Sequence, residues 1–359
     1  MMCITFAQGE TMTAQNFFTR PTLTRPAHTR RAALMAGAAG VVLAMSACAG
    51  SGTGTAAGAS AGADPIKKLS IIVPANPGGG WDQTGRAMQQ DLQTNKLVSS
   101  AQVTNIGGGG GTNGLAKLAT EKDVNTLMVM GYVMVGAVET NGAKTRLEDT
   151  TPIARLTEEP LVLVVPASSK YQSVADLVAD IKANGKGVAI TGGSAGGADH
   201  ILAGQILKSQ GVEADKLNYI GYSGGGESIA ALLGNKVQAG ISGVGEYAEQ
   251  VKAGKVRALA VSGKAEAPAL PGIKPLKDQG IDVVLTNWRG VVAPGSIDDA
   301  QRAKLTDVVT KLHASEAWKS TLTKNNWDDA FLAGDGFKTF LTEDIAKVKT
   351  TLTQIGLVK

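Results

Sequence analysis

Four glycine clusters, at 78–80, 107–111, 192–197 and 224–226, each stand between an apolar run and a run with helical spacing. No other feature constrains the fold as much. Strands that turn tightly into helices, one after another, build α/β layers with a mainly parallel sheet covered on both faces. The first cluster is the clearest. Residues 69–73 read as a buried strand, Gly78, Gly79 and Gly80 leave bare backbone, and Trp81 and Asp82 follow. Arg86, Met88, Gln89 and Leu92 then recur at helical spacing, with Asp82 as an N-cap or first-turn acid. N–H groups at such a helix start have no intrahelical partner and lie at the positive end of the dipole, which favours a small anion.

The alternation continues along the chain. Residues 101–106, 126–130, 187–191, 219–220, 239–243 and 256–261 read as strands, and 115–119, 228–233 and 247–251 as helices. Ser173 with Asp176 three residues on predicts another helix start. Helices over 298–312 and 335–355 close the chain. Two long extended stretches, 153–165 and 283–293, end at Pro166 and Pro294 and bracket a self-contained block. The first is expected to break at Glu158-Glu159-Pro160. A chain that crosses to a second lobe and returns has this pattern. Lobe 1 is expected over 66–165 plus 285–359 and lobe 2 over 166–284, with the crossovers as hinge and a cleft between them.

Bulk charge gives no argument for a nucleic-acid partner, and none is expected. The net charge of +4 comes largely from the first 47 residues, which hold four Arg and one Glu; the remainder carries 31 basic and 30 acidic side chains. Both cysteines, Cys3 and Cys48, precede the folded part. Three scattered histidines, His28, His200 and His313, make no zinc set, and neither metal nor cofactor is expected.

Residues 1–48 read as an export signal: Arg30-Arg31, a short apolar run to Ala47, then a small-residue cleavage region. The arginine pair resembles a twin-arginine signal, but the residues after it fit only loosely, so Sec export is the other route. Cys48 has two readings, a lipidated first residue of the mature chain or part of an ordinary site cleaved after Ala49, with lipidation favoured. Residues 49–65 are almost wholly Gly, Ser, Ala and Thr, a flexible tether. The start codon of the natural chain could lie downstream of Met1.

If the two lobes face each other, the four glycine clusters bring four helix starts to one ligand. The candidate residues are Gly78, Gly79, Gly80, Trp81, Asp82, Gly109, Gly110, Gly111, Thr112, Ser194, Ala195, Gly196, His200, Ser223, Gly224, Gly225, Gly226 and Arg289. Several carry a second reading. Trp81 walls the cleft or packs; His200 bonds a ligand or braces its loop; Arg289 holds a ligand carboxylate or makes a hinge salt bridge. Asp82 and Asp199 read mainly as helix-start caps, because facing a carboxylate they would repel it. The G-x-G-x-x-G match at 109–114 lacks the acid that a dinucleotide site needs after the next strand. The two G-x-S-x-G matches, around Ser194 and Ser223, permit a hydrolase triad of Ser223, Asp282 and His313 on paper, but His313 lies within a helix pattern. A serine that binds ligand is the better reading, and the chain is expected not to be an enzyme.

Pro77-Gly78-Gly79-Gly80-Trp81-Asp82, the stretch 105–112, Gly221-Tyr222-Ser223-Gly224-Gly225-Gly226, the stretch 251–260 and Asn287-Trp288-Arg289-Gly290 resemble the solute-binding proteins of tripartite tricarboxylate transporters, the TctC/Bug family. The resemblance covers about 67–359. It implies a two-lobed periplasmic-binding-protein (Venus flytrap) fold and a monomeric receptor. Its partners would be a small carboxylate and the large and small membrane subunits of an ion-driven transporter. It implies that first-lobe loops corresponding to 78–82 and 109–112 hold one carboxylate, and that loops matching 194–197 and 223–226 help set specificity. Citrate or another tricarboxylate is the leading expected ligand, then dicarboxylates and aromatic carboxylates. Many relatives have Ser where Trp81 stands, so ligand identity does not carry over. A sensor in place of a permease is the other partner that such a receptor could serve.

Overall fold

The computed structural model describes residues 66–223 and 225–358. The export signal, Cys48, the tether and Gly224 lie outside the described residues. Strand β1 (Lys68–Val73) leads through the first glycine turn into α1 (Gly80–Thr94). Strand β2 (Ser100–Asn105) is joined by a 3-10 turn (Gly109–Gly111) to α2 (Thr112–Ala119), and β3 (Thr126–Gly131) to α3 (Tyr132–Thr140). The long β4 (Thr151–Pro166) follows.

The next block is α4 (Val174–Asn184), β5 (Ala189–Gly192), α5 (Ala198–Ser209), β6 (Asn218–Gly221), α6 (Gly225–Leu233), β7 (Ala239–Gly243), α7 (Val244–Lys252) and β8 (Val256–Val261). The chain returns along β9 (Thr286–Ala293) and ends with α8 (Asp299–Ala314), α9 (Glu316–Asn325), β10 (Asp328–Ala333) and α10 (Gly334–Gln354).

The strands pair in the order β2-β1-β3-β9-β4-β7-β5-β6, and β8 and β10 also pair with β4. Parallel pairing is confined to β1 with β2 and β3, and β5 with β6 and β7. Every pairing made by β4 is antiparallel, as is that of β3 with β9. The sheet is therefore more mixed than strand-helix alternation alone predicts. The expected break at Glu158-Glu159-Pro160 is absent: β4 runs through it in register with β9, and its register shifts lie earlier, at 152/154 and 155/157. Pro160 is accommodated because its register partner, Thr286, is the first residue of β9.

Strand β4 belongs to both halves of the sheet. Residues 151–160 pair with β9, and 161–166 with β7 and β8. Its alternation shows how one strand serves two faces. Leu161, Leu163 and Val165 enter the main core, while Val162 and Val164 pack into a smaller cluster with Leu232, Val244, Tyr247 and Val256. Helix α10 lies over the β4/β9 region through Phe337 and Leu341, and Trp288 of β9 meets Phe337 and Phe340 edge-on. The Ser173 capping box on α4 forms as the sequence predicts, with Ser173 Oγ accepting from Asp176 N at 3.1 Å. Helices α3 and α9 and strand β10 have no counterpart in the sequence reading. Among the described residues, no helix is long and apolar enough to cross a membrane.

Candidate functional site

The parallel pairing brings glycine turns to one end of the sheet, and several helices begin there. A cavity of about 60 Å³ lies among the starts of α1, α3, α5, α6 and α7 and the first half of β9. Its walls include Gly79, Gly80 and Trp81 from the first turn, Gly193 and Ser194 from the third, and Ser223 and Gly225 from the fourth. Asp199, Ser242, Glu246, Asn287 and Arg289 complete its polar lining. A neighbouring, more open surface hollow is lined by Gly109, Gly110, Ser194, Ala195 and Ser223, so the second turn meets the third and fourth there.

The other candidates among the described residues line neither space, and Gly78 and Gly226 are exposed. Gly78 takes a positive φ of 98° that lets the turn redirect the chain, and Gly111 abuts the Trp81 ring. Thr112 opens α2 and donates to Gly109 O at 3.0 Å. Gly226 lies in the first turn of α6. His200 Nδ1 accepts from Gly196 N at 3.1 Å, and its ring stacks on Tyr219 with centroids 4.1 Å apart. Burial lowers its pKa to about 4, so the ring stays neutral and braces its own loop.

Asp82 is a first-turn acid, while Gly79 is the N-cap of α1. Its carboxylate accepts from Gly78 N at 2.9 Å, Arg86 Nε at 2.9 Å and Asn105 Nδ2 at 2.8 Å. Burial raises its pKa, but those donors outweigh it and the net direction is down. Asp199 faces the cavity. Its Oδ2 accepts from Gly193 N at 2.6 Å, and burial pushes its pKa to about 7, with Glu246 and Glu159 adding to the rise and Arg289 opposing it.

Arg289 is the one cation among the described residues lining the cavity. It is 2% exposed, and its Nη2 pairs with Glu159, which also accepts from Gly245 N at 3.1 Å. The guanidinium lies 5.3 Å from the centre of the Trp327 ring. Its other arm, Nη1, is buried without a partner, as is Asn287 Oδ1. Both residues line the cavity.

The sequence reading missed Glu159, Glu246 and Asn287. The 239–243 strand before α7 was visible, but nothing in a helical Glu at the third position of α7 signals that its carboxylate is buried. The hydrolase triad does not assemble. His313 on α8 pairs with Asp329 of β10 and stacks on Phe331, and the Asp282 side chain is 92% exposed beside Lys277.

A mixed sheet flanked by helices, with helix starts converging on a cavity, is the form of a periplasmic solute-binding protein. Residues 86–357 match the model of the tripartite tricarboxylate transporter family receptor, TctC, and the chain belongs to that family. It is a solute-binding receptor and not an enzyme. An Agrobacterium vitis protein encoded in the TAR-I ttuE-ttuC' intergenic region is 30% identical over 250 residues, 68% of this chain and 71% of that one. Among solved structures, MatC from Rhodopseudomonas palustris with bound malate superposes with a TM-score of 0.70 at 19% identity, covering 80% of this chain and 99% of that one. Rpa4515 of R. palustris with adipate gives 0.74 at 20% identity, over 82% and 99%.

Proposed function

We propose that this receptor captures a small carboxylate between lobe 1 (66–165 plus 285–359) and lobe 2 (166–284) and delivers it to the large and small membrane subunits of a secondary transporter. The observation that carries the reading is Arg289, a buried cation with one unpartnered arm lining a cavity at helix starts. One ligand carboxylate would meet Arg289 beside the first glycine turn, whose Gly78 and Gly80 N–H groups are already taken by Asp82 and Glu246. Ser194 and Ser223 would reach its far end. The bound malate and adipate of two neighbours in fold favour a di- or tricarboxylate, with citrate as the expectation drawn from the family resemblance. A cavity of about 60 Å³ is far below the roughly 300 Å³ of a typical ligand site, so the lobes would part for entry and close on the ligand. We place the receptor outside the cell membrane as a monomer, tethered through a lipid on Cys48 and the 49–65 linker.

Thermal unfolding with citrate, malate, adipate, aromatic acids and sugars tests the reading. A native-state ligand at a hundredfold excess over its dissociation constant stabilises by about 2.7 kcal/mol. A shift with a carboxylate and none with sugars is expected. No shift with any carboxylate overturns it.

A further inference from the structure

Glu246, on the first turn of α7, already occupies the place at which a ligand carboxylate would meet α1. Its Oε1 accepts the N–H of Gly80, the first residue of that helix, at 3.0 Å. Its Oε2 accepts from Ser242 Oγ at 3.0 Å. The same carboxylate presses on Gly225 at the start of α6, where a Cβ would overlap it, and a Cβ on Gly80 would run into both Glu246 and Arg289. The glycines thus make room for an acid that the protein supplies itself.

The charges around the cavity are then unequal. Arg289 is matched by Glu159, which leaves the carboxyl groups of Glu246 and Asp199 facing the space without a cation of their own. The unpartnered atoms are one donor, Arg289 Nη1, and one acceptor, Asn287 Oδ1. That set complements a ligand with one carboxylate for Nη1 and one donor for Asn287 and the acids. Burial and the neighbouring Glu159 raise the pKa of Glu246, with Arg289 opposing. A ligand ammonium beside it favours its ionised form, whereas a second ionised ligand carboxylate there raises it further and repels it.

We propose that Glu246 is a specificity-determining residue, a resident carboxylate that makes the receptor prefer carboxylates carrying an ammonium over fully ionised di- and tricarboxylates of the same length. The proposal rests on the carboxylate-receptor reading and reorders the ligands within it, moving citrate behind amino-bearing acids.

Isothermal titration of the purified protein at pH 7.5 with two matched pairs tests this: glutarate against glutamate, and adipate against 2-aminoadipate. In the wild type the amino-bearing member of each pair binds at least about tenfold tighter. Glu246→Gln keeps the shape and removes the charge; glutarate and adipate then gain about tenfold, and the ratio within each pair falls to within about threefold. Equal affinities in the wild type, or an ammonium preference that Glu246→Gln leaves intact, overturn the proposal. The wild-type ratios stand alone if the variant does not fold, which its unfolding curve reports. Failure of every carboxylate to bind, citrate and malate included, sinks the receptor reading itself and this proposal with it. Binding at ratios near one sinks this proposal only.

Discussion

Arg289 and Glu159 form an ion pair with side chains only 3% and 1% exposed, linking β9 to β4 at the floor of the cavity. Two neighbouring strands are thereby joined by a desolvated charge pair. Removing one partner leaves the other charged and buried. Glu159→Ala is expected to lower stability by about 3–5 kcal/mol in urea unfolding, far more than loss of a surface pair. A change below about 1 kcal/mol, the range of exposed pairs, would show that the pair is wetter than its burial implies.

Arg289→Lys separates the two arms of the guanidinium. The lysine keeps one charge for Glu159 and loses the planar fork whose second arm, Nη1, is unpartnered. Carboxylate affinity is expected to fall about tenfold or more, with a smaller stability loss than for Glu159→Ala. Titration and urea unfolding of the same preparation read both. Unchanged affinity would remove Nη1 from the site.

Asp199 sets a pH dependence of stability. Its pKa rises on folding from 3.8 to about 7, chiefly through burial, so the folded chain holds this proton more tightly than the unfolded one. Stability from this group is full below the unfolded value, declines as pH rises between about 4 and 7, and is level above. The wild type is expected to lose roughly 2–3 kcal/mol between pH 5 and pH 8 from this source. Asp199→Asn, which can still accept from Gly193 N, should flatten the profile. Melting curves across that range decide it, and a variant whose slope matches the wild type argues against the assignment.

Gly225 has little room to grow, since a Cβ there meets the carboxylate of Glu246 and lies 2.7 Å from Ser242 Oγ. Gly225→Ala is expected to displace Glu246 from its contacts and alter carboxylate binding at least about fivefold, with a stability loss of about 1–3 kcal/mol. Ser173→Ala is the control: it removes an N-cap on α4, away from the cavity, and should cost about 1 kcal/mol with no effect on affinity. An affinity change in the control would point to a general loosening of the fold.

Residues 69–92 show why so much was legible in the sequence. The strand, the three glycines and the helix after them are local features, governed by side-chain period and backbone freedom, and β1 and α1 formed where those rules put them. The capping box at Ser173 was legible for the same reason. Helix α3 was not, because Tyr132–Thr140 is nearly all buried and its apolar run carries no face. Strand β10, exposed at its first two residues, exists because β4 offers an edge to pair with.

Glu246 marks the boundary between the two kinds of information. Its position near the start of α7 is a local fact, written in Ser242-Gly243 and the helical run after them. Its role comes from Gly80, 166 residues earlier in the chain, whose N–H it accepts. The sequence alone determined the layered α/β frame, the glycine turns and the family, because these follow from neighbours along the chain. Tertiary structure decided which carboxylate fills a helix start, which arm of Arg289 is unpartnered and which acid keeps its proton. Those depend on burial and on charges brought together from distant segments, and both are set only when the chain packs.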